Sequence, residues 1–515
     1  MKNLFIALFF LLSAISVSAQ SLTEKQVDSI VNRALDISSS TGIAVAIVKD
    51  GKVIYSKGHG IRSIETKEKV DKNTLFAIAS NSKAFTSAAL AMLVDEGKIT
   101  WDDKVMKYIP EFTMYNDYVA ANFTIEDLLT HRSGLGLGAG DLLWFPDGNS
   151  YTINDILKSF QYQKPVSAFR TKYDYDNLLY IVAGEVVARV SGKSWTDFVQ
   201  ERIVDPIGMT NTKTCHLNLP KNANLAMPHS FYYGKKKQLN TYNSGELMGP
   251  AAGLYASVED LSKWMLVQLN EGKYGDETLF SEQRQREMWY PHTVKGYSVL
   301  PRGENKSQLS AYGLGWDISD KKGKTIIGHT GGMPGMLSRT ILVPELELGI
   351  VVLTNTDPGG LAFYMVGETI LQEYLGGNSS DLIKSGADRA ASRGSQTDSV
   401  ENAVWDWIAK NKTKVNQANF IGTYTDPWFG EATISVIDGK MWFASKSSPN
   451  LTGQLFQYKA SAFAVKWNYN DMPCNAFALF QLNEEGKAIG LKMKGISPNI
   501  DFSFDFQDLN FTKSE

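Results

Sequence analysis

The run Gly42-Ile-Ala-Val-Ala-Ile-Val48 carries no polar side chain and is short for a helix. Rich in β-branched residues and bounded by a turn signal, it reads as a buried strand. Asp50-Gly51 follows, a pair that favours a tight hairpin because glycine tolerates positive φ. Residues 52–58 then return as a second strand. Strand patterns resume only near 325–328, 337–343 and 348–354, and 361–375 reads as a helix. The expected fold class is α+β: an antiparallel sheet whose terminal segments lie at opposite ends of a long, mostly helical insert.

Helix starts are marked in the sequence. Thr23-Glu-Lys-Gln26 has the form of a capping box opening a helix through about Ile37. Residues 79–97 read as helical and end at a glycine suited to a C-cap. Thr124-Ile-Glu-Asp127, Ser194-Trp-Thr-Asp197 and Ser257-Val-Glu-Asp260 each offer a hydroxyl to backbone N–H groups and a carboxylate three residues on.

The ends of the chain differ from its middle. Residues 1–19 combine Lys2, an apolar run from Leu4 to Leu12 and the small-residue pattern Val17-Ser18-Ala19, which reads as a cleavable signal peptide. The expected location is periplasmic or secreted, with no transmembrane segment. The 515 residues set a prior of two to three domains. Residues 20–377 form the first expected domain and 401–515 the second. The polar, Ser-rich stretch 378–400 between them reads as a linker with room for a helix. Beyond 400 the pattern is all-β, about eight short strands, enough for a small barrel or sandwich. Phe463, Val465 and Trp467 alternate, as do Phe502, Phe504 and Phe506, while Asp438-Gly439 and Glu485-Gly486 supply turns. This segment holds 5 Trp, 11 Phe and 3 Tyr. Filling the core of a small barrel accounts for that surplus better than an aromatic ligand pocket does.

Lys and Arg number 52 against 55 Asp and Glu, so the chain lacks the basic excess of a nucleic-acid binder. The two cysteines, Cys215 and Cys474, read as separate buried thiols without a C-x-x-C metal motif. The six histidines show no metal-ligand spacing, and no P-loop, G-x-G-x-x-G or G-x-S-x-G occurs. No metal or cofactor is expected. The sequence sets no oligomeric state.

Chemistry concentrates in three short motifs. Ser80-Asn81-Ser82-Lys83 opens an apolar helix, and a helix brings i and i+3 to one face, so the Ser80 hydroxyl and Lys83 ammonium are neighbours. A buried lysine of lowered pKa helps to remove the serine proton. A second S-x-x-K, Ser319 to Lys322, reads as a solvated turn in a charged loop. Tyr175-Asp176-Asn177 supplies a phenol whose pKa a nearby ammonium lowers, making it a general base and later acid. Its Asn177 amide can hold both Lys83 and a substrate carbonyl. His329-Thr330-Gly331-Gly332 extends the 325–328 strand; its glycines let a substrate backbone approach an edge strand, and the Gly332 and Ser80 N–H groups suit an oxyanion hole.

Taken in order, Ser80-x-x-Lys83, Tyr175-x-Asn177 and His329-Thr330-Gly331 resemble the three motifs of the serine penicillin-recognising hydrolases, most closely the class C β-lactamase-like family. That family includes D-aminopeptidases, D,D-carboxypeptidases and esterases. Leu128-Leu-Thr-His-Arg-Ser-Gly-Leu135, the 250–261 stretch opening Pro-Ala-Ala-Gly, and Tyr312-Gly-Leu-Gly-Trp316 add to the likeness, which spans about 25–377. The resemblance implies Ser80 as the acylated nucleophile, Lys83 as its partner and Tyr175 as acid/base. Asn177 and His329, Thr330, Gly331 and Gly332 would then bind substrate. The last segment is similar to a lipocalin-type barrel. Class C β-lactamases carry lysine where this chain has His329; a largely neutral imidazole suits a substrate carboxylate less well, pointing to the peptidase and esterase branches.

The expected function is that of an exported serine hydrolase acting through a Ser80 acyl-enzyme on a small-molecule or short-peptide substrate, with a D-amino-acid peptide or amide preferred. Carboxylesterase or β-lactamase activity on the same site is the alternative. A non-catalytic protein that senses a ligand in its barrel is the third reading, and retention of Ser80, Lys83 and Tyr175 weighs against it. The barrel is also a candidate plug or gate for the active-site cleft.

Overall fold

The computed structural model describes residues 22–514, apart from 233, 244, 304, 359–360, 378–380 and 412–414. Residues 1–19, expected to be a signal peptide, and residues 378–380 of the polar stretch therefore lie outside the described residues. Strand β1 (Gly42–Lys49) turns through Asp50 (φ 51°) and Gly51 (φ 71°) into β2 (Lys52–Gly60). Two consecutive left-handed residues match the twist of a two-residue hairpin. The partners of β1 come from far along the chain: β3 (Thr293–Arg302), β4 (Ser307–Tyr312), β5 (Asp317–Lys321), β6 (Lys324–Met333), β7 (Met336–Val343) and β8 (Leu348–Thr354). They form one antiparallel eight-stranded sheet in the order β2-β1-β8-β7-β6-β5-β4-β3.

The lack of polar residues in β1 now has its cause. Ile43, Val45 and Ile47 join the core beneath helices α1 (Glu24–Ile37) and α5 (Ala362–Tyr374). Ala44, Ala46 and Val48 join the core on the opposite face, beneath the insert helices α2 (Ser82–Asp95), α3 (Leu178–Ser191) and α4 (Val258–Leu269). A strand covered on both faces has no position for a polar side chain. The Thr23–Gln26 capping box is present, as are side-chain caps at Thr124, Ser194 and Ser257.

Eight further antiparallel strands, from Gly422–Asp426 to Asn510–Lys513, close into a barrel. Phe420, Phe463 and Phe480 pack mutually edge-to-face inside it, with centroids 5.0–5.4 Å apart. The aromatic surplus is thus core material. The barrel docks on the first domain through Tyr151 Oη donating to Phe429 O (2.6 Å), Asn450 Nδ2 to Asp147 O (2.8 Å) and a Phe145–Phe504 ring contact at 4.8 Å. One continuous apolar core crosses this junction. Cys215 and Cys474 are both buried and unpaired.

Two local expectations change, and the room left for a helix after 380 is filled. The polar stretch after 380 is the first part of a 29-residue helix, α6 (Leu382–Lys410), capped by Asp381 and packed on α5 and α1. Its buried residues, among them Ile383 and Val404, are few, and its serines mask them. Phe502, Phe504 and Phe506 do not form a strand. Asp501 accepts from the Ser503 N–H through its side chain and from the Phe504 N–H through its backbone, giving a turn in place of a ladder. The second S-x-x-K begins in β5, not a loop, and Lys321 bonds both Glu368 oxygens at 2.6 and 2.7 Å.

Candidate active site

Ser80 sits in a 3₁₀ turn, Ala79–Asn81, that leads directly into α2. Ala79 has φ 47°, a left-handed conformation that costs a non-glycine residue about 1 kcal/mol or more. The surroundings impose it. Ile78 N–H donates to Leu254 O, Ser338 Oγ donates to Ile78 O at 2.6 Å, and Asn81 Nδ2 donates to Ser338 Oγ at 2.8 Å. Thr86 Oγ1 donates to Pro250 O at 2.7 Å, so the Pro250-Ala-Ala-Gly segment is strapped to α2.

One turn into α2, fully buried Lys83 points back to the serine. Its Nζ donates to Ser80 Oγ (3.2 Å), Asn177 Oδ1 (2.7 Å) and Ala251 O (3.0 Å). Burial pulls its pKa down to about 7, against the opposing pull of Asp141 and Asp176. Near neutral pH a large share of Lys83 is therefore free amine, within reach of the serine proton.

Tyr175 departs from expectation. Its pKa is pushed well above the ordinary phenol value by burial, with the Ser80 hydroxyl pulling the other way. The Lys83 nitrogen lies over the ring face, 4.8 Å from its centroid, where it does little for a phenolate oxygen stripped of water. The buried Tyr175 hydroxyl lies beside the Ser80 hydroxyl, which puts its proton close to the candidate nucleophile.

His329 is buried and neutral. Its Nδ1 lies 2.6 Å from the Thr330 carbonyl, which can only accept, so Nδ1 carries the hydrogen and Nε2 accepts from Tyr312 Oη at 2.8 Å. Burial lowers its pKa to about 4. Strand β6 is internal only in its first half: β5 pairs with it from Lys324 to Gly328, while 329–333 pair with β7 alone. The second half is thus the expected edge. A Cβ on Gly331 would lie 2.2 Å from Ile78 O and 2.9 Å from Ser80 N, so only glycine lets β6 approach the serine this closely. Thr330 and Gly332 are exposed.

Ser80, Lys83, Tyr175, Asn177, His329 and Gly331 thus converge on one place. Others converge there without having been singled out. His131, also at positive φ, lies tilted against the Tyr175 ring at 4.3 Å and the Tyr312 ring at 4.6 Å, and its Nδ1 accepts from Asp176 N–H. His131 and Tyr312 lie inside motifs that the family resemblance rests on, which is the signal that marks them. Asp141 holds Asn177 Nδ2 at 2.8 Å. Phe502, from the barrel, meets the Tyr175 ring at 6.0 Å and 85°. No local pattern in the sequence marks either. Among the described residues, no group of three His, Cys, Asp or Glu could hold a metal ion, and no helix is long and apolar enough to cross a membrane.

Residues 27–370 match the family model described as Beta-lactamase, and 409–513 match a domain of unknown function, DUF3471. An unguisins hydrolase of Aspergillus campestris is 28% identical over 338 residues, 64% of this chain and 60% of its own length. Protein flp of Staphylococcus aureus is 26% identical over 341 residues, 65% of this chain and 64% of its own. The chain thus spans under two thirds of the length of these curated relatives. In fold, the octameric penicillin-binding protein homologue from Pyrococcus abyssi aligns over 95% of this chain and 99% of its own, with TM-score 0.60 and 19% identity. The D-amino acid amidase from Ochrobactrum anthropi, complexed with D-phenylalanine, aligns over 68% and 97%, with TM-score 0.56 and 20% identity.

Proposed function

Because the chain belongs to the beta-lactamase family of hydrolases, we propose that it cleaves an amide, peptide or ester bond through an acyl-enzyme on Ser80. The observation that carries this reading is Lys83 Nζ, buried and near neutral, bonded at once to Ser80 Oγ and Asn177 Oδ1. Ser80 Oγ attacks the carbonyl as its proton passes to the Lys83 amine. The oxyanion forms against the Ser80 and Gly332 N–H groups. Tyr175, protonated because it is buried, donates its hydrogen to the leaving group. Water then attacks the acyl carbonyl and gives its proton to the Tyr175 oxygen, while the Lys83 ammonium returns its proton to Ser80 Oγ as the acyl bond breaks.

Substrates built from D-amino acids are the preferred class. The neutral His329 puts no fixed cation on β6 for a substrate carboxylate, which favours amides and esters over β-lactams. A fold neighbour named as a D-amino acid amidase supports the same class. The leader-like residues 1–19 support action outside the cytoplasm. The test is incubation of wild type and Ser80→Ala with a fluorescent penicillin and with D- and L-amino-acid p-nitroanilides. Wild type alone should form an adduct and should turn over the D-series faster. Equal activity of Ser80→Ala overturns the reading.

A further inference from the structure

The barrel reaches the catalytic lysine through an unbroken chain of hydrogen bonds. Asp505, on the loop before the last strand, accepts from Gly140 N–H (2.8 Å) and Leu142 N–H (3.1 Å), gripping the 3₁₀ turn Asp141–Leu143. Two residues earlier, Ser503 Oγ donates to Asp141 Oδ2 at 2.9 Å. The same oxygen accepts from Asn177 Nδ2 at 2.8 Å, and Oδ1 accepts from Trp144 Nε1 at 2.8 Å. Asn177 then turns its other end, Oδ1, to Lys83 Nζ at 2.7 Å. Asp141 and Lys83 are fully buried, and Ser503 and Asn177 nearly so.

This chain has a direction. An amide has one donor end and one acceptor end, and which end meets Lys83 depends on what holds the other. An ionised Asp141 can only accept, so it captures the NH₂ end and presents oxygen to the ammonium. Without it, Asn177 is free to flip and set an NH₂ against Nζ. Ser503 supplies a donor to the same carboxylate, which favours its ionised form in a place where burial pushes its pKa up to about 7.

We propose that Asp141 and Ser503 are positioning residues through which the seated barrel orients Asn177 and sets the charge environment of Lys83. The proposal rests on the acyl-enzyme reading. Asp141 is faced by Lys83 from α2, Asp176 from the start of α3, Asp505 from the barrel loop and Tyr242. Lys83 is faced in addition by Tyr175, Tyr180, His131 and His329. Losing the Ser503 hydroxyl makes the Asp141 carboxylate less stable. Less negative charge then supports the ammonium, and Lys83 gives up its proton at lower pH.

The test uses the whole chain and the burst of p-nitrophenolate from p-nitrophenyl acetate, followed against pH. Ser503→Ala should lower the plateau acylation rate about tenfold and move the midpoint of its rise to lower pH by up to ~1 unit, with KM little changed. Asp141→Asn should do both more strongly. Ser503→Thr, which keeps the hydroxyl, should restore both. Lys446→Ala, on the exposed barrel surface, should change neither. Thermal melts confirm that each variant is folded; if Ser503→Ala is not, the Ser503→Thr and Asp141→Asn profiles decide. Midpoints and plateaus equal to wild type in folded Ser503→Ala and Asp141→Asn overturn the proposal while leaving the acyl-enzyme intact. Absence of any Ser80-dependent burst in wild type overturns the acyl-enzyme reading, and this proposal with it.

Discussion

The turn at 79–83 and the barrel loop around 501–505 touch the same centre, but they reach it in opposite ways. The first is local: Ser80 and Lys83 face each other because one helical turn separates them. The second is remote: Ser503 and Asp141 meet across 362 positions of chain, and only after the barrel has closed and docked. The local pair holds the reactive atoms. The remote pair decides how the neighbouring amide presents itself to them. The proposed nucleophile and base are thus specified by a four-residue word, whereas the tuning proposed for them depends on two domains folding correctly.

Substitutions can break that comparison at either end. The largest effect belongs to the local turn: Ser80→Ala should reduce hydrolysis by ~10³-fold or more with unchanged stability, read from turnover and from loss of the acyl mass adduct. Next is Gly331→Ala, whose Cβ collides with Ile78 O and the Ser80 backbone. We expect acylation to fall by ~10²-fold, while Gly332→Ala, whose Cβ meets only Leu337 at 3.4 Å, keeps most activity. Equal losses would show that the approach of β6 is not what places Ser80.

A control lies on the far face of the sheet. Burial alone would raise the Glu368 pKa, but Lys321 and Arg339 win and lower it from 4.5 to about 2. A carboxylate whose folded pKa is depressed stabilises the fold above its unfolded pKa, and that stability is lost as pH falls from 4.5 toward 2. The linkage is worth about 3 kcal/mol. Chemical unfolding of Glu368→Gln should show a flatter pH dependence across that window, with the pH profile of acylation unmoved. The smallest effect is the wild-type profile itself. Acylation should rise with pH through about 7 as Lys83 loses its proton, near tenfold per unit below that point. A flat profile from 5 to 9 would remove Lys83 as the base.

Much of the fold was legible because its signals are local. The buried strand at 42–48, the Asp50-Gly51 hairpin and the capping boxes each depend on a few adjacent residues. The stretch read as a linker with room for a helix does hold one, and its length was hidden because a helix laid across α5 and α1 needs only a sparse apolar stripe among serines. Phe502, Phe504 and Phe506 misled because alternation records burial, and aspartates that bond their own backbone can produce it without a ladder. At the candidate site, the residues singled out by type and order, Ser80, Lys83, Tyr175, Asn177 and the 329–332 strand, lie close together. The sign of the Tyr175 shift was wrong, since nearness to a lysine is visible in a motif and desolvation is not.

By itself, then, the sequence determined that an antiparallel sheet flanks a helical insert, that a second all-β segment follows, and that Ser80 and Lys83 stand together, while the family resemblance alone implied Tyr175 beside them. Those follow from spacing and side-chain chemistry, which act over a few residues. Only the tertiary structure decided that burial pulls the Lys83 pKa down to about 7, that His329 is a locked neutral imidazole and that Asp141, Phe502 and Ser503 lie against these groups. Burial, charge state and contacts between distant segments depend on what the rest of the chain places alongside, and no short stretch of sequence carries that information.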